Sequence, residues 1–496
     1  MTKVFSKIVV SVFLVFVLAS CVSDDKGRDI SLPDDNDSQP EQKSDSVDTE
    51  QKSADYNYLF DIDAVPEITI SITKADWNQY LRNYDANKDN SLYVPAAFTF
   101  KKDGKVWQRD SVGLRPRGNT SRRRPEGSSG QMHQSSGTDW HHSHFGIKFT
   151  EYETGSSFFG CDRIVLKWFH GDPAYCREVF CYDLFRRFGV WSAPRASYCR
   201  LYIYVEGDAQ PAYFGVYMLL EGVRKGWMKE RVYEGHLTSK DGNLWKCGWS
   251  ANNGANLSDF NYNGTRQMGI STDNMSYSYS LRTNKTQGLA AAQSELYNFM
   301  ENMRPLTSGT VNLKQYLEQN MDVDLFLRAL AVNVAVGMWD DYWVNQNNYY
   351  CYFDIDHRFY FIPYDYDNTL GTSKHINSLS NSGTQDPLHW GSRDGDRLLV
   401  KKVLSQKEYE QRYVQYLKQI VSDPDLMQPD AAIARVKHFE SLIAPYVQND
   451  TGEDMVIEDK PRQDDGDIDY RLLTGNDNGA NGSNFFKTKK RAIDKL

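Results

Sequence analysis

Neither common glycine-rich phosphate loop, GxGxxG or GxxxxGK[ST], occurs in the 496 residues, so any nucleotide site must be built from side chains and turns. CxxC is missing as well, and the seven cysteines are irregularly spaced, which leaves no pattern from which to assign a disulfide framework. Positive charge is in deficit: a formal net charge of −9 gives no overall basic footprint and argues against nucleic acid as a partner. Internal repeats are absent. Long apolar runs are nearly so, the exception being a short one at the N-terminus that falls below a comfortable membrane span.

What is present is a chain with 40% apolar and 13% aromatic residues, enough for a substantial core spread over two or three domains or one large two-lobed one. The opening MTKVFSKIVVSVFLVFVLASC has the layout of a secretory signal: Lys3 and Lys7, an apolar stretch, then small residues. Leu18-Ala19-Ser20-Cys21 resembles the lipobox of bacterial lipoproteins, which implies cleavage after residue 20, lipid on Cys21 and attachment to the outer membrane. Ser23-Asp24-Asp25 resembles the acidic signals that send some lipoproteins to the cell surface. From 21 to 58 the chain is rich in Asp, Ser, Gln, Glu and Lys, with too few large apolar residues to offset the entropy of folding, and reads as a disordered acidic tether. The remaining six cysteines would meet an oxidising compartment, so disulfides are open to them. Cys176 and Cys181 fall on one predicted helix in poor geometry for a bridge and read as core thiols.

Order begins near Leu59. PEITISI alternates as a strand, and Thr73 with Asp76 makes a capping box for a helix around Trp77, Tyr80 and Leu81. Further strands are predicted over 93–100, 106–114, 145–150, 163–168, 197–205 and 213–221, with a helix over 173–188 closed by Gly189. Polar stretches over 126–144 and 248–285 read as surface excursions. Past Leu289 the period becomes helical: 289–303, 313–319, then 323–336, apolar on nearly every face and so expected to be buried. Helical patterns return over 397–420, 430–447 and 484–496. The division expected is a strand-rich lobe over 59–225 and a mainly helical lobe over 226–496, an α+β architecture. Trp140-His141-His142-Ser143-His144 lacks a Cys or carboxylate at ligand spacing and is not read as a metal site. Asp85 to Asp89 begins like a calcium loop but lacks the central glycine and the closing glutamate, so it reads as a turn.

Three segments gather polar residues in apolar surroundings: LRPRGNTSR (114–122), WDDYWVNQNN (339–348) and IPYDYDNTLG (362–371). Each alone has a structural explanation, as a turn, a loop after a helix, or a strand end with an Asx turn at Asp367-Asn368. Their order carries more. A buried helix, then Asp340-Asp341, then an asparagine, then a hairpin ending in Asp365-Tyr366-Asp367 is the order in which kinases set a base, an amide metal ligand and a metal-binding carboxylate. Mg²⁺ takes hard oxygen ligands, an acceptor hydroxyl needs a carboxylate for its proton, and phosphates need Arg or Lys. All three kinds are here.

On these motifs the chain resembles the spore coat protein H (CotH) kinase family of atypical secreted kinases. The resemblance lies in Arg-Gly-Asn-Thr-Ser-Arg at 117–122, GIKF with Lys148, the helix opened by Arg177 and followed by YDLFRRFG, GVYMLLEGV with Glu221, Trp-Asp-Asp with Asn348, and IPYDYDNTLG, over roughly residues 60 to 496. It implies a protein-kinase-like two-lobed fold and transfer of phosphate from ATP, with Mg²⁺ or Mn²⁺, to Ser or Thr hydroxyls of a protein. Carried over, Asp341 is the base, with Asp340 as the register alternative. Asp365, Asp367 and Asn348 hold the metal. Lys148 faces the phosphates, with Lys167 and Lys246 as rivals because the 126–144 insert blurs the alignment. Arg117 and Arg122 contact phosphates or brace their loop, and Glu221 either reaches the nucleotide or pairs with a lysine. The alternative is a catalytically silent surface binding or adhesion protein on the same scaffold, since a fold does not guarantee its site.

Overall fold

The computed structural model describes residues 55–118, 121–250, 254–258, 267–270, 276–283, 288–372, 382–391, 397–459, 471–475 and 484–496. The signal, Cys21 and most of the tether lie outside these residues. Strands β1 (Glu67–Ile72), β2 (Val94–Lys102), β3 (Lys105–Arg117), β4 (His144–Lys148), β5 (Arg163–Lys167), β6 (Ala196–Val205) and β7 (Ala212–Glu221) close into a barrel in the order β1-β2-β3-β4-β5-β7-β6. Neighbours are antiparallel except β1 and β6, which pair in parallel and complete the circuit. Alternation sends Ile68, Ile70, Phe98, Phe100, Phe145, Ile164 and Leu166 inward to one core. Helix α1 (Lys74–Ala86) adds Trp77, Tyr80 and Leu81 to it. Thr73 caps the helix as expected, its Oγ1 accepting the Asp76 N–H at 3.0 Å, while the Asp76 carboxylate accepts from the Thr73 hydroxyl at 2.6 Å in place of the backbone N–H of a full capping box.

The second core gathers α2 (Arg177–Arg187), α3 (Lys225–Tyr233), α4 (Gly288–Met303), α5 (Val311–Asn320), α6 (Val323–Ala335), α7 (Leu398–Leu404), α8 (Lys407–Ser422), α9 (Pro429–Ile443) and α10 (Phe485–Ile493). Helix α6 is buried on nearly every face, as its sequence predicts, and its N-terminus is capped by Asp322, whose carboxylate accepts the Leu325 N–H at 3.0 Å. It ends at Gly337, φ +70°, where a Cβ would meet the Phe485 ring at 2.9 Å.

The second half is not simply helical. Strands β8 (Asn243–Cys247), β9 (Met268–Gly269), β10 (Tyr279–Thr283), β11 (Tyr349–Phe353) and β12 (Phe359–Pro363) form a sheet in the order β12-β11-β8-β10-β9. Part of the 248–285 stretch read as a surface excursion therefore supplies strands; its Ser, Gly and Asn content concealed them. The 126–144 stretch is exposed over 128–131 and 134–137, as a surface excursion should be, but several of its side chains anchor it inward. Glu126, His133, His142 and His144 are buried, because Glu126 accepts from Trp77 Nε1 at 2.7 Å and from His133, and His142 pairs with Glu453. The helix expected over 397–420 breaks at Ser405, whose hydroxyl bonds Lys402 O and the Gly309 N–H. All six cysteines from Cys161 to Cys351 are free and buried. Among the described residues no helix is long and apolar enough to cross a membrane.

Candidate functional site

Strand β5 turns Ile164 and Leu166 into the barrel and leaves Val165 and Lys167 on its outer face, toward the second core. Helix α2 follows, its N-terminus held by Asp172, which accepts the N–H groups of Ala174, Cys176 and Arg177 and pairs with the Arg177 guanidinium. That brace places Glu178 in the first turn, where an acid is favoured by the exposed N–H groups. Lys167 Nζ lies 2.6 Å from Glu178 Oε2 and 3.2 Å from Asp367 Oδ2 and is bonded to Asp365.

The β11–β12 hairpin delivers Asp365 and Asp367, though not by strand alternation. Asp365 lies past the strand end with φ +63°, a conformation an L-residue adopts at a cost of order 1–3 kcal/mol. Helix α2 holds it there: the Asp365 N–H donates to Tyr182 Oη at 2.9 Å, and the Tyr366 N–H donates to Glu178 Oε1 at 3.2 Å. Glu178, Asp365 and Asp367 each bring a carboxylate oxygen to within 4.8 Å of the others.

Burial pushes Glu178 up to about 8 and Asp367 up to about 6, in both cases against the pull of Lys167. Burial also opposes ionisation of Asp365, but the Lys167 ammonium bonded to it holds its carboxyl below the usual range. Lys167 likewise stays charged against its own burial because Asp365, Asp367 and Glu178 surround it. One ammonium facing three carboxylates leaves two negative charges when all are ionised. That is the charge of one divalent cation, and the donors are the hard oxygens Mg²⁺ and Mn²⁺ accept.

Asp340 and Asp341 point different ways. Asp341 is buried, its Oδ1 accepting the Val344 N–H at 2.6 Å and its Oδ2 bonded to Asn333 Nδ2; burial pushes it up to about 7. Asn333 in turn accepts from the Tyr366 hydroxyl at 2.9 Å, so Asp341 joins the framework behind the acids. Asp340 is only partly buried and lies in the field of Asp365 and Asp367. It accepts from Asn347 at 3.2 Å, from Asn348 Nδ2 at 2.9 Å and from Asn345. With its amide nitrogen bound to Asp340, Asn348 keeps its amide oxygen for a ligand, and its backbone is left-handed at φ +57°.

Other assignments move. Lys148 lies apart from the acids, paired with Glu151 at 2.8 Å and over the Tyr93 ring, so the lysine among the carboxylates is Lys167. Lys246, on β8, is opposed by Arg282 and Arg117. Arg117 donates to the Tyr364 hydroxyl at 2.9 Å. Arg122 is buried and bonds the carbonyls of Gly118, Lys88 and Asn90, which makes it a loop brace. Glu221 pairs neither with a lysine nor with an open site: it is fully buried against Arg231. Glu178 escaped the sequence reading. Its signal was an acid in the first turn of a helix eleven residues after a strand-end lysine.

A sequence model of the CotH kinase protein family matches residues 114–470. Spore coat protein homolog 1 of Rhizopus delemar is 26% identical over 208 residues, covering 41% of this chain and 29% of the relative. Invasin CotH7 of the same organism is 24% identical over 205 residues, covering 41% of this chain and 30% of the relative. The matched segment thus spans about three tenths of the length of either relative.

Proposed function

The chain belongs to the CotH kinase protein family, and from that premise we propose that it is a metal-dependent phosphotransferase, moving a phosphoryl group from ATP to Ser or Thr hydroxyls of a protein. The observation that carries this reading is the meeting of Lys167, Glu178, Asp365 and Asp367 beside Asp340 and Asn348. Lysine paired to a helix glutamate, next to a metal-binding aspartate, is the arrangement that phosphoryl transfer by kinases requires. On this reading the barrel is the nucleotide lobe and the helical region the catalytic lobe of a kinase-like molecule.

Asp365, Asp367 and the Asn348 amide oxygen hold Mg²⁺ or Mn²⁺, which when bound offsets charge on the phosphate oxygens. Glu178 fixes the Lys167 ammonium so that it meets the phosphates without reorganising. Asp340 takes the proton of the acceptor hydroxyl as its oxygen bonds to phosphorus and the bond to ADP breaks. Asp341 positions the segment that carries Asp340. A surface location on a lipid anchor fits this reading: the N-terminal stretch has the layout of a signal ending in Cys21, and the relatives carry the names of a spore coat protein and an invasin.

The test is incorporation of label from γ-labelled ATP into the protein itself or a general acceptor, with Mg²⁺ and with Mn²⁺. Wild type labels; Asp365→Ala and Asp340→Ala do not. The invasin relative favours a second reading, a silent adhesion protein. That reading prevails if wild type takes up no label with either metal while ATP and metal still raise its unfolding temperature.

A further inference from the structure

We propose that Arg115, Arg117, Arg163, Arg224, Lys246 and Arg282 form a second site, beside the metal-binding acids, for a compact small molecule carrying several phosphate groups. The six come from five places in the chain. Arg115 and Arg117 lie on β3, Arg163 on β5, Arg224 just after β7, Lys246 on β8 and Arg282 on β10. Strand register puts the barrel members on one outer face: Arg115 is opposite Gly146, Gly146 opposite Val165, and Arg163 opposite Lys148. The face is shaped for arginine. A Cβ on Gly146 would stand 2.9 Å from Arg117 Cγ, and one on Gly222 would collide with Arg163 Cγ. The five-stranded sheet closes the other side with Lys246, Arg282, Tyr350 and Tyr364, the two rings meeting edge to face at 5.0 Å. Arg117 bridges the two sheets through Tyr364.

Burial disfavours the charged forms of Arg115, Arg224, Lys246 and Arg282, and neighbouring cations of the cluster add to it, an arrangement that an anion would offset; Arg117 is the exception, held up against its own burial by Tyr364, Tyr350 and Tyr93. Asp365 pulls on Lys246 and Arg117 from one end only. Among the described residues the Nε–H groups of Arg115 and Arg282 are buried without a hydrogen-bond partner, which leaves two donors of the cluster unused. Tyr93, against Arg115 and Arg163, registers the field: burial acts to raise its phenol, yet the cations hold it down at about 8.

The phosphates of a metal-bound nucleotide would reach only the end of the cluster nearest Asp365, where Arg117 and Lys246 lie. Arg163 is four residues from Lys167 along β5, ~13 Å at strand rise, beyond a phosphate held at Asp365. Enclosure between two sheets, with Arg115 only 6% exposed, favours a small ligand over a protein chain. Guanidinium groups match phosphate oxygens in pairs, so a ring bearing several phosphates suits the cluster best.

The experiment is calorimetric titration of the full chain with myo-inositol hexakisphosphate, chelator present to exclude metal, at two salt concentrations. One-to-one binding is expected, weaker at the higher salt, lost at least tenfold in Lys246→Ala and in Arg282→Ala, and retained in Asp365→Asn. Without ligand both cation variants unfold at the same or a higher temperature than wild type, which separates lost binding from lost folding. No binding overturns the proposal. So does binding that the cation variants leave unchanged, or that inorganic tripolyphosphate matches in affinity and Asp365→Asn removes; that last result assigns the cluster to the nucleotide. The outcome is independent of whether the protein transfers phosphate.

Discussion

Glu221 on β7 and Lys167 on β5 anchor two buried charge clusters in one barrel wall, and the two are balanced in opposite ways. Glu221 accepts from Arg231 at 3.0 and 2.8 Å, from the Arg195 N–H at 2.9 Å and from the Tyr56 hydroxyl at 2.9 Å. Its carboxyl stays below the usual range because Arg231 and Arg195 outweigh its burial. Every lone pair is spoken for, as in a structural pair. At Lys167 one ammonium is divided among three carboxylates, two of which burial pushes up. Residue type does not separate the clusters, since each joins acids to a basic group. The residual charge does: with Glu230 and Glu234, which pair with Arg195, the Glu221 network sets two guanidiniums against three carboxylates, whereas the Lys167 cluster sets one ammonium against three, and the more negative cluster is the one left open to an ion.

The sharpest way to break this contrast is to remove one acid from each side. Glu221→Ala leaves Arg231 buried without its partner and should cost about 3–5 kcal/mol in urea unfolding. Asp367→Asn, which removes a carboxylate that burial pushes up to about 6, should leave the unfolding midpoint of metal-free protein unchanged or higher. If the two variants lose equal stability, the Lys167 cluster is structural as well.

Next in size is the separation of the adjacent aspartates. Asp340→Asn should lower label transfer on the order of 10²-fold or more, with stability unchanged, if Asp340 takes the acceptor proton. Asp341→Asn sets an amide against Asn333 Nδ2 and should register mainly as lost stability. Reversed results would return the base to Asp341.

That pair also marks the limit of legibility. The order of motifs located the site, and the alternation of β5, the apolar wrap of α6 and the β11–β12 hairpin were readable from period and composition. Which of two neighbouring acids faces the site depends on a single turn at Gly337, and no periodicity reports that. Lys148 follows from the GIKF match, and the insert before β4 blurs that match, which leaves Lys167 and Lys246 as rivals in the sequence. The ion pair that favours Lys167 joins a strand end to a helix start, and it becomes visible only when both elements are placed. Strands β9 and β10 were hidden by the polar composition of 248–285, and with them the Arg282 side of the cationic cluster.

The clusters should also answer pH with opposite sign. Glu178 has a folded pKa of about 8, raised above the ordinary ~4.3 of an unfolded glutamate, so the native state holds its proton through that window. Metal-free protein should therefore lose stability as pH rises from ~4.3 to 8, by at most about 1.4 kcal/mol per pH unit for one proton. Glu221 is depressed, so its contribution is present above ~4.3 and is lost as pH falls through its lower folded value. Thermal unfolding with chelator, and again with Mn²⁺, separates the two. The ion requires deprotonated ligands, so its stabilisation should grow from pH 6 to 8. A profile unaltered by Mn²⁺ would remove the metal from Asp365, Asp367 and Asn348.

The smallest effect on label transfer falls to Lys148→Ala, which is informative for being small. Its ammonium pairs with Glu151 at 2.8 Å and sits 5.9 Å from the Tyr93 ring centre. The Lys148 side chain is only 9% exposed and that of Glu151 26%, so the pair is largely buried and losing one partner costs stability. Lys148→Ala should therefore lower the unfolding free energy but leave label transfer by the folded protein intact, while Lys167→Ala abolishes transfer. A large loss of transfer in Lys148→Ala alone would mean that the ammonium meeting ATP is not the one the carboxylates surround, and the charge imbalance at Lys167 would then need another explanation.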